Sequence, residues 1–386
     1  MSNIDKLYKI SRRTEKLIVG LMSGTSLDGL DIALCRINGT GLNTKVSVEK
    51  FETIPYSPKI ISSLRKISAK TIDLEDLCLW NVKLASIHST YINNCLKRWK
   101  IKNSEVDLIA SHGQTVYHCP ASHHNKKHFG NSTLQIGDGD NIAKATGIIT
   151  ISDFRQKHIA AGGEGAPLAV YGDYLLFSNK LKNVLLINIG GIANITYLPK
   201  NTSERIVSTD VGPGNCLMDL WMRINYNLPY DKNGTVASTG NVNKNFLKNL
   251  ERNNFFKLPF PKSTGNEIFN YEFILKALKG IGSISNSDII ATLNCFTFRC
   301  IKKFTATLPG AFTIYVSGGG IYNLQLMSYL HQEYNKINFQ ELNYPADAKE
   351  AVLFAVLANE CVSGKSSVFK KAGVVETLMG KISLSE

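Results

Sequence analysis

Three times along the chain an apolar run enters a turn of glycines and small polar residues: 17-LIVGLMSGTSLDGLDIALC-35, 184-VLLINIGGIANITYL-198 and 312-FTIYVSGGGIYNLQL-326. Apolar runs this short read as buried strands, and glycine lets the turn after them adopt angles that a Cβ forbids. Helical spacing separates them. It covers 58–99, where Leu74, Leu77, Leu84, Ile87 and Tyr91 fall on overlapping faces, then 241–307, and then 346-ADAKEAVLFAVLANE-360, whose acidic first turn suits the helix dipole. Further strands are expected at 45–56, at 107–110 delivering 111-SHGQTVYH-118 at its end, and at 148-IITISDFRQ-156. Strands followed by glycine turns and helices predict an α/β protein with ligands above the strand ends.

At 386 residues the chain is too long for one ordinary core. Recurrence of the glycine turn in both halves suits two lobes closing on one ligand. The net charge of +13 attracts anions, but the lysines are scattered as in 97-KRWKIK-102, a poor pattern for nucleic acid. Eight cysteines without a CxxC pair read as reduced thiols. No segment approaches the ~20 apolar residues that span a bilayer, and the N-terminus lacks a signal-like apolar core, so a cytoplasmic location is expected. His118, His123, His124 and His128 lack the compact spacing of a zinc site and are interleaved with lysines. The stretch 364-GKSS-367 is no Walker loop, because Asn359 stands where that motif needs glycine.

Phosphate oxygens need convergent N–H donors, which 24-GTSLDG-29, 188-NIGGIAN-194 and 317-SGGG-320 could supply. Each alone fits a tight hairpin as well; together they point to a nucleotide. Asp28 could hold Mg²⁺ or its water shell. Asp210, in 209-TDVGPGN-215, is expected at a strand end, either capping a turn or deprotonating a water. His112 and Gln114 could bond ligand hydroxyls or form a structural polar network. Arg155, expected in a loop just beyond a strand, could grip an anionic group or pair with Asp153. Glu350 fits either an ordinary first-turn carboxylate or a ligand contact.

The same segments resemble a known family. GLMSGTSLDGLD at 20–31, SHGQTVYH at 111–118, TLQIGDGDNIA at 133–143, DFR with AAGGEGAPL at 153–168, NIGGIANIT at 188–196 and STDVGPGNCLMD at 208–219 are similar to those of the anhydro-N-acetylmuramic acid kinases. PYDKNG at 229–234, PKSTGNEIFN at 261–270, VSGGGIYN at 316–323 and DAKEA at 347–351 continue the match in order. These kinases fall in the sugar kinase, Hsp70 and actin-like superfamily. The resemblance implies a two-lobed actin-like ATPase fold, ribonuclease H-like in each lobe, with nucleotide and sugar in the interlobe cleft. It places the first lobe at 1–155 with the tail 362–386, and the second at 156–361.

The implied reaction opens 1,6-anhydro-N-acetylmuramic acid hydrolytically and phosphorylates O6 with ATP and Mg²⁺, giving N-acetylmuramate 6-phosphate and ADP in peptidoglycan recycling. By the same resemblance Asp210 is the general base. Gly24, Thr25, Ser26, Leu27, Asp28, Gly29, Leu30 and Asp31 handle phosphate, with Asn188, Gly190 and Gly191 as a second phosphate loop and Gly318, Gly319 and Gly320 near the nucleoside. Arg155 and Glu350 match sugar-contacting positions, and His112 and Gln114 lie beside the substrate pocket. Partners are the sugar and ATP, without nucleic acid or membrane, and a homodimer is compatible. The chain departs from the family at DFRQKH, where His158 replaces a frequent acid, at Glu164, where glutamine is customary, and before Asp347, where a glycine-rich approach is missing. Rival readings are a kinase for another amino sugar or hexose, and an actin- or Hsp70-like ATPase acting as an interaction module.

Overall fold

The computed structural model describes all residues except 1, 69–70, 122–123, 125, 201–205, 266, 335–338, 341, 371–373 and 386. His123 therefore lies outside the described residues. The chain folds into two compact units, 1–177 with 343–386, and 178–342. In chain order the strands are β1 (Glu15–Ser23), β2 (Gly29–Asn38), β3 (Lys45–Pro55), β4 (Leu108–Cys119), β5 (Ser132–Ile136), β6 (Thr150–Ser152), β7 (Asn183–Ile189), β8 (Ile192–Leu198), β9 (Val207–Pro213), β10 (Phe312–Ser317), β11 (Phe339–Gln340) and β12 (Lys381–Ser383).

The first unit carries the order β3-β2-β1-β4-β6-β12, with β5 paired to β4. The second carries β9-β8-β7-β10-β11. In each, three antiparallel strands adjoin parallel ones: β1 with β4 and β4 with β6, then β7 with β10 and β10 with β11. Both sheets thus repeat the mixed strand order of the ribonuclease H-like, actin-like fold.

Strands β1 and β4 are buried on both faces, so each face must be covered by helix. On one face the Leu74–Trp99 helix contributes Leu84, Ala85, Ile92 and Leu96 to a core with Val19, Leu21, Ile32 and Ile109. Against β1, β2 and β4 lies the Lys349–Ser363 helix, buried from Ala351 to Glu360. A Cβ on Gly20 would overlap the Ala351 carbonyl, so glycine permits that close approach. In the second unit the Asn286–Thr305 helix anchors an aromatic core of Phe255, Phe256, Phe269, Phe273 and Phe296.

Several local expectations change. The segments 156–177 and 343–361, expected in the second lobe, belong to the first unit. Val352, Phe354, Val356 and Leu357 are buried along the returning helix, and at roughly 1.5–3 kcal/mol each they fix it to the first sheet rather than to its sequence neighbours. The SHGQTVYH segment does not follow a strand but continues β4, which kinks at Gly113 with φ 71°. Arg155 stands in the first turn of a helix, Phe154–Ala160, rather than in a loop. Asp210 lies inside β9 opposite Asn194, beside a register shift, instead of at the strand end.

Candidate active site

The turn from Gly24 to Asp28 joins β1 to β2 and exposes Thr25, Ser26 and Asp28, while Leu27 is buried with φ 60°. Ser26 Oγ donates to Asp28 Oδ1 at 2.8 Å. The turn is secured from behind: Gln114 Nε2 donates to the Gly24 carbonyl at 3.2 Å, and Gln114 Oε1 accepts from Ser23 Oγ at 2.6 Å. Ser23 Oγ is therefore free to accept from Tyr56 OH at 2.8 Å, and Tyr56 OH from His88 Nε2 at 2.8 Å. Burial lowers the His88 pKa to about 3, keeping the ring neutral for this role. Gln114 is thus committed to the turn. Ser23, Tyr56 and His88 were not singled out in the sequence, because Tyr56 and His88 reach the turn only through tertiary packing.

Four acids gather near this turn. Burial raises the Asp31 pKa to about 6, Thr53 Oγ1 opposes the rise by donating to Asp31 Oδ1 at 2.5 Å, and Asp28, Glu350 and Asp347 add repulsion. Glu350 is exposed to water yet its pKa is also raised, first by desolvation and then by Asp173 and Asp28, against the pull of Lys349 and Arg155. Protein crowds this carboxylate while one side still reaches solvent. Among the described residues Glu350 has no hydrogen bond or ion pair, whereas its neighbour Lys349 is held by Asp173 at 3.1 Å. No group of three or more acids, histidines or cysteines is placed to cage a metal among the described residues.

Arg155 is locked at two points. Its Nε donates to His112 Nε2 at 2.9 Å and one Nη to the Gly165 carbonyl at 2.9 Å, which leaves its second Nη without a hydrogen bond among the described residues. Because His112 Nε2 accepts, Nδ1 carries the proton; burial and the Arg155 charge lower the ring pKa to about 3. A cavity of about 210 Å³ adjoins this ring, lined by Ser111, His112, Gln135, Asp138, Ser152 and Asp153 among others. Among the described residues three buried polar atoms of that lining have no hydrogen-bond partner: Ser111 Oγ, His112 Nδ1 and Gln135 Oε1. The cavity therefore offers a hydroxyl, an N–H donor and a carbonyl acceptor to a polar ligand.

In the second unit the Asp210 side chain is held through one oxygen, Oδ2, which accepts from Thr264 N at 2.9 Å. The other oxygen has no hydrogen bond among the described residues. Burial raises the Asp210 pKa, the Thr264 bond lowers it, and Glu267 raises it again. Such a carboxylate is more basic than a solvated one while still oriented.

The glycine turns of this unit come together. Asn215 N donates to the Gly190 carbonyl at 2.8 Å, Gly214 N to the Gly191 carbonyl at 2.8 Å, and Ser317 Oγ to Asn188 Oδ1 at 3.3 Å. Gly318 closes against Ile189 and Asn188, and Gly319 against Asn215. Asn188, Gly190, Gly191 and Gly318 to Gly320 thus share one frame, to which Gly214 and Asn215 also belong. The GPGN sequence two residues beyond Asp210 was the signal for that last pair.

The model of the family described as anhydro-N-acetylmuramic acid kinase matches residues 16–380. An anhydro-N-acetylmuramic acid kinase of Pseudoalteromonas atlantica is 44% identical across 100% of this chain and 99% of its own length. One from Pseudoalteromonas translucida is 46% identical with the same coverage. One from Caldanaerobacter subterraneus is 37% identical over 99% of this chain and 100% of its own. A family match over nearly the whole length, on a chain that repeats one fold twice and gathers the glycine turns of its second unit, makes this protein a member of the anhydro-N-acetylmuramic acid kinase family.

Proposed function

We propose that the chain uses ATP to open 1,6-anhydro-N-acetylmuramic acid with water and to phosphorylate its O6, yielding N-acetylmuramate 6-phosphate and ADP. Asp210 takes a proton from the water that attacks C1. The bond from C1 to the bridging oxygen breaks, that oxygen stays on C6 and attacks the γ-phosphorus, and the bond to the ADP oxygen breaks. Ring opening therefore supplies the O6 nucleophile that a kinase acting on a free hydroxyl must obtain by deprotonation. The observation that carries this reading is the Asp210 carboxylate, anchored by a single N–H and raised in basicity by burial.

Arg155 and Glu350 orient the sugar, while Ser111, His112 and Gln135 satisfy its polar groups from the cavity. Backbone N–H groups of the Gly24–Asp31 segment, and the frame of Asn188, Gly190, Gly191 and Gly318 to Gly320, hold the nucleotide. Mutual repulsion among Asp28, Asp31, Asp347 and Glu350 fits a cation arriving with the nucleotide. Asp28 would hold Mg²⁺ through its water shell, and the ion would offset phosphate charge. Among the described residues no helix is long and apolar enough to cross a membrane; a cytoplasmic location and a homodimer stand as proposals.

The test is turnover of anhydro-N-acetylmuramate with ATP in oxygen-labelled water, with mass detection of the product. The expected product is a 6-phosphate with label at the anomeric hydroxyl. Faster phosphorylation of N-acetylmuramate or a hexose, or an unlabelled product, would overturn the coupled reaction.

A further inference from the structure

The helix that carries Arg155 also carries His158, one turn on, and a loop folds back over both. Gly165 N donates to His158 Nδ1 at 2.9 Å, while the carbonyl of the same Gly165 accepts from Arg155 at 2.9 Å. The imidazole is buried and neutral: burial, then the Arg155 charge, lowers its pKa below the usual histidine range. With Nδ1 accepting, the proton sits on Nε2, which donates to Tyr171 OH at 2.8 Å; Tyr171 OH in turn donates to the Val375 carbonyl at 3.1 Å. A single residue, Gly165, is thereby held through its N–H by His158 and holds Arg155 through its carbonyl.

We infer that His158 is a positioning residue for the sugar site: its Nδ1 fixes Gly165, and Gly165 fixes the guanidinium. This rests on the proposed role of Arg155 as a sugar contact. The inference assigns the function to one ring nitrogen, Nδ1, and leaves Nε2 as an anchor of the ring. Protonation would put a hydrogen on Nδ1 and remove the acceptor that Gly165 needs. The charged and titratable groups around the ring are Arg155 and Lys157 on its own helix, Tyr171 on the Ala169–Phe177 helix, whose phenol is pushed up to about 12 by burial, and Glu164 on the loop, whose side chain is exposed. Of these, only Arg155 acts on the imidazole pKa, and it opposes protonation.

Asparagine places a carbonyl oxygen near the position of Nδ1, whereas glutamine reaches toward the position of Nε2. His158→Asn should therefore keep the Gly165 bond and His158→Gln should lose it. The measurement is KM for anhydro-N-acetylmuramate and for ATP, with kcat, across pH 5 to 8, in the wild type, both variants and Arg155→Ala. His158→Gln should raise the sugar KM about three- to tenfold, with the ATP KM unchanged, and His158→Asn should stay near the wild type. The wild type should lose more sugar affinity toward acid pH than His158→Asn does, since both share the protonation of Glu350 and only the wild type can protonate the imidazole. Equal sugar KM in the two variants, or equal rises in sugar and ATP KM, would overturn the inference. Should Arg155→Ala itself leave the sugar KM unchanged, the role of Arg155 fails first; a large Arg155→Ala effect with no His158→Gln effect sinks only the positioning by His158.

Discussion

The two sheets share a strand order, yet the turns that join their first two strands are built from different materials. Between β1 and β2 the turn presents Thr25, Ser26 and Asp28 to solvent, and acids surround it. Between β7 and β8 only Gly190 and Gly191 intervene, and the turn is held through its own carbonyls by Gly214, Asn215 and Cys216. A turn made of side chains can be altered through charge; one made of backbone can be altered only through shape. On the proposed reading the same division runs through the units, with sugar-orienting charge in the first and the Asp210 base with a glycine frame in the second. Substitutions should therefore separate into effects on sugar affinity, nucleotide affinity and turnover according to unit.

The largest effect should come from Asp210→Asn. It keeps the Thr264 bond, because the amide oxygen still accepts, and removes only basicity. Turnover should fall by roughly 10²–10⁴, with nucleotide affinity and thermal midpoint close to the wild type. Stopped or coupled detection of ADP checks this, and turnover within threefold of the wild type would remove Asp210 from the chemistry. Next comes Arg155→Ala, which deletes a charged group bonded to His112 and Gly165. Sugar KM should rise about 10- to 100-fold, the worth of a charge-assisted hydrogen bond. Titration with each ligand separately should show nucleotide binding within twofold; a matching loss there would break the assignment of sugar contacts to the first unit.

Much of this was legible in the sequence, and what was missed has a common cause. Alternation of apolar runs and glycine turns marks strands such as β1, β7 and β10 locally, because burial on both faces demands continuous apolar residues. The unit boundary was not local. The Lys349–Ser363 helix follows the second unit in sequence and is claimed by the first only through packing against Gly20 and its neighbours. Gln114 illustrates the same limit at the level of one side chain, since an amide that binds ligand and one that ties down a turn have identical sequences around them. Tyr56 and His88 carried no signal at all, their hydrogen bonds being made across three separate elements. Glycine spacing, by contrast, disclosed the frame of the second unit because a backbone turn states its requirement in residue type.

A smaller effect is expected from Gly214→Ala, which tests the backbone turn by shape alone. Its new Cβ would overlap the Gly190 carbonyl, which also accepts from Asn215 N at 2.8 Å. Relief requires the frame to open, at a cost of about 1–3 kcal/mol of overpacking. Nucleotide KM should rise several-fold while sugar KM stays level. An unchanged nucleotide KM in a stably folded variant would separate this frame from the nucleotide.

The smallest effect, and the sharpest on charge, belongs to Asp31→Asn. The Asp31 pKa is raised to about 6 by burial and by Asp28, Glu350 and Asp347, so the folded protein binds this proton more tightly than the unfolded chain does. Its contribution to stability is consequently fullest below the unfolded value near 4 and declines as pH rises through about 6. Asparagine carries no charge to repel its neighbours and can still accept from Thr53. Without nucleotide, Asp31→Asn should melt about 2–4 °C higher than the wild type at pH 8, and the gap should close toward pH 4. Magnesium-dependent nucleotide binding should weaken in the same variant, since the repulsion among these acids is what a cation would relieve. A variant that melts lower at pH 8, or gains nothing over pH 4, would show that the acids around the first turn do not repel one another as their placement requires.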